Sequence, residues 1–171
     1  FLGWMTMRKG LAMSRNVVTT NLLQRMGPKV VRNYARRMGI STPIRPVLSL
    51  GMGTSEVKLI DLVSAFGVFP NRGIRVSPVA VLKASDKGGN VLEERMQGTE
   101  EVVLSEATAA VMTSMMRSVM DTRGGTGRGA RTEYRFRRPA AGKTGTTQNF
   151  ADTWFVGFTP QLLALTWVGY D

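Results

Sequence analysis

Neither cysteine nor histidine occurs anywhere in these 171 residues. The two absences together remove Ser-His-Asp and Cys-His catalysis and nearly all zinc chemistry. Any acid–base work must fall to Lys, Tyr, Asp or Glu. Missing cysteine leaves the compartment open, since it suits a reducing cytoplasm and equally an envelope protein that avoids stray disulfides. Long apolar runs are missing too. The longest near the end, Leu162-Leu163-Ala164-Leu165, falls far short of the ~20 residues a membrane-spanning helix needs. The sequence begins without Met and opens with no charged-then-apolar leader, so no signal peptide is expected within it. Phe1-Leu2-Gly3-Trp4 reads as the interior of a longer chain, and Tyr170-Asp171 stops where a strand ends.

What is present is an ordinary globular balance, 43% hydrophobic and 20% charged, with enough chain for one core and too little for two. The net charge is +11. Such an excess suits nucleic acid, anionic lipid or an acidic polymer as partner, and suits equally a solvated basic surface. The cations are scattered. Their densest run, Arg128 to Arg138, lies beside a proposed strand, where it would help to draw in an anionic substrate.

Helices come first. A short one spans Thr6 to Met13, and Ser14-Arg15-Asn16 interrupts it. Val18, Leu22, Leu23 and Met26 mark the buried stripe of the next, which Gly27 closes. Pro28 sits at the first position of a third, with Val30, Val31, Tyr34, Ala35 and Met38 inside and Gly39 as its stop. Beyond a loop from Ser41 to Gly53, Thr54 or Ser55 is expected to cap a helix that buries Leu59, Leu62, Val63 and Phe66, with Glu56 at its positive end. Pro70-Asn71-Arg72-Gly73 ends it in a turn.

Short β segments at Val79 to Leu82 and Val91-Leu92 flank a hairpin turn from Asp86 to Asn90. Ser105 caps a further helix with Val111, Met112, Met115, Met116 and Val119 inside, its methionines serving as core packing. Asp121 to Arg131, rich in Gly and Arg, reads as a loop. Ala140 to Thr147, Thr153 to Thr159 and Leu162 to Tyr170 are three strands joined closely enough for an antiparallel meander. Helices followed by a run of strands, without repeats, imply an α+β fold, an antiparallel sheet flanked by helices.

Two motifs carry chemistry. Lys143-Thr144-Gly145-Thr146-Thr147 places an ammonium, alternating hydroxyls and a glycine on one strand. Side chains alternate along a strand, so Thr144 and Thr146 share a face and Lys143 points to the other. Two adjacent hydroxyls suit a substrate carboxylate, and Gly145 lets another backbone lie close. At a sheet edge, unpaired backbone groups could add a peptide as an extra strand and leave the Thr146 amide free to donate to an oxyanion. A strand that merely contains Lys, Thr and Gly is the bland alternative. Ser14-Arg15-Asn16 is the second motif, a Ser and an Asn two apart at a helix start, where Asn16 alone could be a cap.

Ser-x-Asn followed far downstream by Lys-Thr-Gly resembles the second and third signatures of the penicillin-recognising active-site serine enzymes, whose first is Ser-x-x-Lys. The resemblance runs along the whole chain in the order of class A penicillin-binding transpeptidase domains. It includes Gly53-Thr54-Ser55-Glu56-Val57, Phe69-Pro70-Asn71-Arg72-Gly73, Gly125-Thr126-Gly127, Asp152 to Pro160 and Trp167 to Asp171. It implies that residues 1–171 are the C-terminal part of one such domain, incomplete for want of an N-terminal strand and the nucleophile helix. Ser14 would relay a proton and Asn16 would bond the substrate amide. Lys143 would sit beside Ser14, and Thr144 and Thr146 would hold the carboxylate beside Gly145. The Thr146 amide would form half of the oxyanion hole.

The implied reaction is cross-linking of peptidoglycan stem peptides ending in D-Ala-D-Ala through a serine acyl-enzyme, with β-lactams acylating the same serine and no cofactor. The implied place is the outer face of the bacterial cell membrane, with the membrane anchor and a glycosyltransferase domain upstream. Ser55-Glu56-Val57-Lys58 has the Ser-x-x-Lys spacing, yet it follows Ser-x-Asn where the family's nucleophile precedes it. The nucleophile is therefore unknown and expected upstream of Phe1, and the 171 residues alone are expected to be inactive.

Alternatives remain. A serine β-lactamase of the same fold would need a Glu-x-x-Leu-Asn segment between Asn16 and Lys143, which is missing, and Arg15 stands where those enzymes have Asp. A noncatalytic β-lactam or peptidoglycan sensor would use the same cleft. Nucleic acid is disfavoured: Arg123 to Gly129 lacks both a phosphate-loop context and a stacking platform, and reads as a flexible loop. Trp154, Phe155 and Trp167 read as sheet packing.

Overall fold

A computed structural model describes residues 3–95, 98–147 and 151–170. Phe1, Leu2 and Asp171, at the two chain ends, lie outside the described residues. The order is α1 (Met7–Ala12), α2 (Asn16–Met26), α3 (Pro28–Arg37), α4 (Leu59–Gly67), β1 (Ile74–Val76), β2 (Lys83–Ser85), β3 (Val91–Glu94), β4 (Glu100–Val102), α5 (Glu106–Asp121), α6 (Gly129–Thr132), β5 (Ala141–Thr146), β6 (Asp152–Phe158) and β7 (Leu163–Gly169). A 3₁₀ turn, Leu48–Met52, lies between α3 and α4 and packs against α2. The architecture is α+β.

The C-terminal strands form one antiparallel sheet in the order β5-β6-β7, and two smaller antiparallel pairs, β1-β4 and β2-β3, stand apart from it. The sheet packs on α5. Met116, Ala141 and Phe158 are buried together, with Leu11 of α1, Phe66 and Phe69 around them, so that one core joins the first helix to the last strands. A second cluster of Ile40, Ile44 and Ala65, flanked by Leu50, Val57 and Leu62, secures α4 and the long loop before it.

Two terminal signals act as read: Pro28 opens α3, and Ser105 Oγ accepts from the Thr108 amide at 3.2 Å. Thr6, read as the first residue of α1, is instead its cap, its side chain accepting from the Lys9 amide at 3.2 Å. The start of α4 differs. Thr54 spends its hydroxyl on Ser49 (3.0 Å), and the helix begins only at Leu59, with neither Thr54 nor Ser55 capping it. Asp61, inside its first turn, instead accepts from the backbone and hydroxyl of Ser41 at 2.9 and 2.6 Å, which draws its pKa below the usual carboxylate value. Leu59 is exposed and Ala65 takes the buried position, while Leu62 and Phe66 still pack against the core.

Val111 of α5 is likewise exposed, while Met116, Val119 and Met120 face inward. Among the described residues Val79 to Leu82 forms no strand, although the Leu82 carbonyl accepts from the Arg95 amide at 2.8 Å; Lys83–Ser85 pairs with Val91–Glu94 around a turn in which Asp86 accepts from the Asn90 backbone at 2.8 Å. Within the Gly/Arg-rich stretch, Gly129–Thr132 forms a single helical turn.

The close approach of α1 to α2 fixes where the link between them, at Ser14, can stand. Gly10 is buried in α1, and a Cβ built there would stand 2.8 Å from Val18 Cγ1 of α2. Only a bare Cα lets the two helices come this near. At an exposed helix position Gly→Ala stabilises by ~1 kcal/mol, whereas forcing a methyl into a packed contact costs ~1–3 kcal/mol. Gly10→Ala is therefore expected to lower stability by a net ~1 kcal/mol, and Val18→Ala added to it should restore most of the loss. Chemical denaturation of the three proteins checks this, and a stabilised Gly10→Ala would contradict the close approach.

Candidate active site

Ser14 sits at the corner that Gly10 and Val18 create. Helix α1 ends in a Schellman arrangement: the Ser14 amide donates to Leu11 O at 3.1 Å and the Arg15 amide donates to Gly10 O at 2.9 Å. That motif needs a left-handed residue, and glycine usually supplies it. Here the residue is Ser14, with φ +50°. An L-residue in that region costs roughly 1–2 kcal/mol, and residues so held cluster at functional sites. The left-handed turn reverses the chain within two residues and leads directly into α2, whose first residue is Asn16.

The opposing wall is β5, which lies at the edge of its sheet. Its register with β6 pairs Lys143 with Val156, Thr144 with Phe155, Gly145 with Trp154 and Thr146 with Thr153. Ala141 and Lys143 therefore share the face of buried Val156 and Phe158, and Thr144 and Thr146 take the other. The phase of the ladder follows from its last rung, where the Thr147 amide donates to Asp152 O at 3.0 Å. Hydrogen-bonded and non-hydrogen-bonded pairs alternate in an antiparallel ladder. Thr146 and Thr144 thus belong to the second kind, and their backbone N–H and C=O groups turn toward the open edge.

Asp152 locks this end of the hairpin. It accepts from Trp167 Nε1 at 2.9 Å and from Thr147 Oγ1 at 3.2 Å, while its own amide donates to Thr147 Oγ1 at 2.8 Å. Trp154 and Trp167 lie against each other, ring centroids 5.9 Å apart. Phe155 lies across Gly142 and Gly157 on the opposite face; a Cβ on Gly157 would collide with its ring, and one on Gly142 with the Val156 carbonyl.

The two walls meet through Lys143. Its Nζ donates to Ser14 Oγ at 2.7 Å and to the Thr144 carbonyl at 2.7 Å. Because it rises from the core face of the strand, burial pushes its pKa below the usual lysine value. Ser14 Oγ accepts from the ammonium, so its own O–H is free to donate into the cleft. On the other face, Thr144 Oγ1 donates to Thr126 Oγ1 at 2.6 Å. Thr126 belongs to the stretch read as a flexible loop, yet its amide donates to Ala12 O at 3.0 Å, two residues before Ser14. Sequence reasoning missed it; a threonine between two glycines, Gly125 and Gly127, was the available signal.

Asn16 is exposed on the first turn of α2, and its side chain makes no hydrogen bond to a described residue. Together with Ser14, Trp4, Met7, Val18 and Leu22 it lines an open cleft of about 800 Å³. An adjoining apolar groove of about 530 Å³, lined by Leu11, Met112 and Met115 among others, shares Met7, Val18 and Leu22 with it. Ser55 and Lys58 form no hydrogen bond with each other or with the Ser14–Lys143 group among the described residues. Arg131 of the basic run is engaged internally, with Asp121 Oδ1 at 2.9 Å and the carbonyls of Phe136 and Arg138 at 2.7 and 2.6 Å. It holds the loop together instead of facing a substrate.

Known proteins resemble this chain. The family model described as the penicillin-binding protein transpeptidase domain matches residues 2–170. Penicillin-binding protein 1A of Aquifex aeolicus is 40% identical over 169 residues, which are 99% of this chain but 22% of that protein. The chain thus spans about a fifth of that relative's length. The crystal structure of penicillin-binding protein 1A from Haemophilus influenzae shares the fold, with a TM-score of 0.87 at 22% identity over 98% of this chain and 30% of that one. PonA1 of Mycobacterium tuberculosis, solved in complex with penicillin V, matches with a TM-score of 0.77 and 26% identity over 97% of this chain and 48% of its own. The left-handed serine corner and the Lys-Thr-Gly-Thr edge strand, joined by the Lys143–Ser14 contact, therefore sit in a chain that belongs to the penicillin-binding protein transpeptidase domain family.

Proposed function

We propose that these residues form the substrate cleft of a peptidoglycan DD-transpeptidase acting on stem peptides that end in D-Ala-D-Ala, at the outer face of the bacterial cell membrane, and acylated by β-lactams at the same serine. The observation that carries this reading is the 2.7 Å contact from Lys143 Nζ to Ser14 Oγ. Family membership supplies the reaction class.

The chemistry divides among few groups. A serine hydroxyl attacks the carbonyl of the penultimate D-Ala and gives its proton to the Ser-x-x-Lys lysine; an ester forms, the C–N bond breaks, and the departing amine takes a proton, which that lysine restores to the relay. Ser14, free to donate toward the cleft, delivers that proton, and the neighbouring ammonium stabilises the charge that passes through Ser14 Oγ. Thr144 and Thr146 receive the terminal carboxylate, and the open edge of β5 accepts the peptide backbone as an added strand. The Thr146 amide on that edge donates to the oxyanion. Asn16 bonds the substrate amide from the α2 side. An amine of a second stem then takes the acyl group.

The attacking serine, with its Ser-x-x-Lys lysine, belongs in this reading to a helix of the full-length protein outside these residues. Its proposed seat is the apolar groove of Met7, Leu11, Val18, Leu22, Met112 and Met115, which shares Met7, Val18 and Leu22 with the cleft that Ser14 lines. An exposed apolar channel of this kind calls for a covering element.

Two outcomes are expected in the full-length protein. Ser14→Gly relieves the left-handed strain while removing the hydroxyl. Thermal unfolding should stay within ~1 kcal/mol of wild type or improve, while acylation by a fluorescent penicillin slows roughly 10²–10³-fold. Unchanged acylation would refute the proton-relay role of Ser14.

The second concerns Lys143, whose proton is lost at a lower pH in the folded protein than in the unfolded chain. Between those two pKa values the unfolded chain binds more protons, so stability rises with pH. The cost of burying the charge is present in full below the folded pKa and is relieved as pH climbs toward the ordinary lysine value of ~10.4. Wild type should therefore gain stability relative to Lys143→Met as pH rises through the alkaline range toward ~10. A flat difference in melting temperature across that range would show the ammonium to be solvated.

A further inference from the structure

Thr126 is built into the site more firmly than a loop residue needs to be. Its amide is held by Ala12 O at the end of α1, and the Gly127 amide donates to Val119 O of α5 at 3.1 Å. A Cβ on Gly125 would collide with the Val119 carbonyl, and one on Gly127 would stand 3.5 Å from the Phe155 ring. Both flanking residues thus lie against backbone or ring, and Thr126 is fixed between the helix that presents Ser14 and the strand that presents Thr144. Its hydroxyl then meets Thr144 Oγ1 at 2.6 Å.

A hydroxyl has one proton to give and two lone pairs to receive with. Thr144 gives its proton to Thr126 in this structure. Receiving a carboxylate requires that proton to turn outward, which leaves Thr144 Oγ1 in need of a donor. Thr126 is placed to become that donor by rotating its own O–H, and a chain of hydroxyls ending on an anion is mutually polarised. Resting on the proposed carboxylate role of Thr144, we propose that Thr126 is a positioning residue of the carboxylate subsite: it holds the Thr144 hydroxyl in place and donates to it when the substrate carboxylate binds. Selectivity for ligands with a free carboxylate therefore depends on a residue outside the Lys-Thr-Gly-Thr strand.

The test uses the full-length protein and the acylation rate for a fluorescent penicillin and for the methyl ester of the same compound. Thr126→Val keeps the shape and removes the hydroxyl. It should slow acylation by the free acid about tenfold, leave the ester rate unchanged, and be reversed in Thr126→Ser. Thr144→Val should cost at least as much, and the double variant Thr126→Val/Thr144→Val should be no slower than Thr144→Val alone, because one acts through the other.

Loss on acid and ester alike, or an unaltered Thr126→Val beside an impaired Thr144→Val, overturns the role of Thr126 while leaving the function intact. An unaltered Thr144→Val overturns the carboxylate reading and this proposal with it. Thr126→Ala, read by the same acid-to-ester ratio, decides the matter if the valine variant does not fold.

Discussion

The contact between Lys143 Nζ and Ser14 Oγ joins two halves of the chain separated by 129 positions, and neither partner is there cheaply. The lysine gives up hydration on the core face of a strand, and the serine takes a backbone conformation usually left to glycine. Both costs are met by packing elsewhere: the core of Met116, Ala141 and Phe158, with Leu11 against it, ties α1 to the sheet and so fixes the distance between corner and strand. Gly10 sets how near α2 comes within that frame. A cation close to a hydroxyl in a half-buried cleft is a poor structural device, since a well-packed apolar pair would stabilise more. Its presence makes sense as chemistry.

The edge strand supplies the rest. An unpaired β edge is a hazard that folded proteins tend to cover or charge; among the described residues β5 has no partner on its outer side, which is the edge proposed to take a peptide. What keeps it from being merely loose is the set of contacts around it. Asp152 fastens the hairpin through Thr147 and Trp167, and the Phe155 ring lies on two glycines and beside the Gly125-Thr126-Gly127 turn. One face of β5 is therefore rigid through the core, the other through aromatic packing, and only the edge itself is open.

Much of this was legible in the residues. Apolar periodicity with Pro28, Gly27 and Ser105 placed α2, α3 and α5, and the three last strands emerged nearly whole, because local punctuation and tertiary packing agree there. The elements that went astray are those where they disagree. The start of α4 slipped because Thr54 found Ser49 and Asp61 found Ser41, tertiary partners that a cap rule does not see. The pairing of Ile74–Val76 with Glu100–Val102 joins segments more than twenty residues apart with little alternation to announce it. At the site, Ser14, Asn16 and Lys143 to Thr146 could be named from their motifs. The left-handed turn at Ser14 and the ladder phase that turns Thr146 to the open edge could not, since each is a property of backbone geometry and not of residue type; Thr126 left only the sign of a threonine between two glycines.

If the lysine and the serine act as one proton-handling unit, their contributions to acylation cannot be separate. The direct measurement is a double-mutant cycle on the full-length protein, comparing β-lactam acylation rates of Ser14→Ala, Lys143→Ala and the double variant. A shared unit requires the double variant to be about as slow as the slower single one. Losses that multiply, each variant contributing its full factor, would mean that the two groups act independently and that their 2.7 Å contact is incidental to the chemistry.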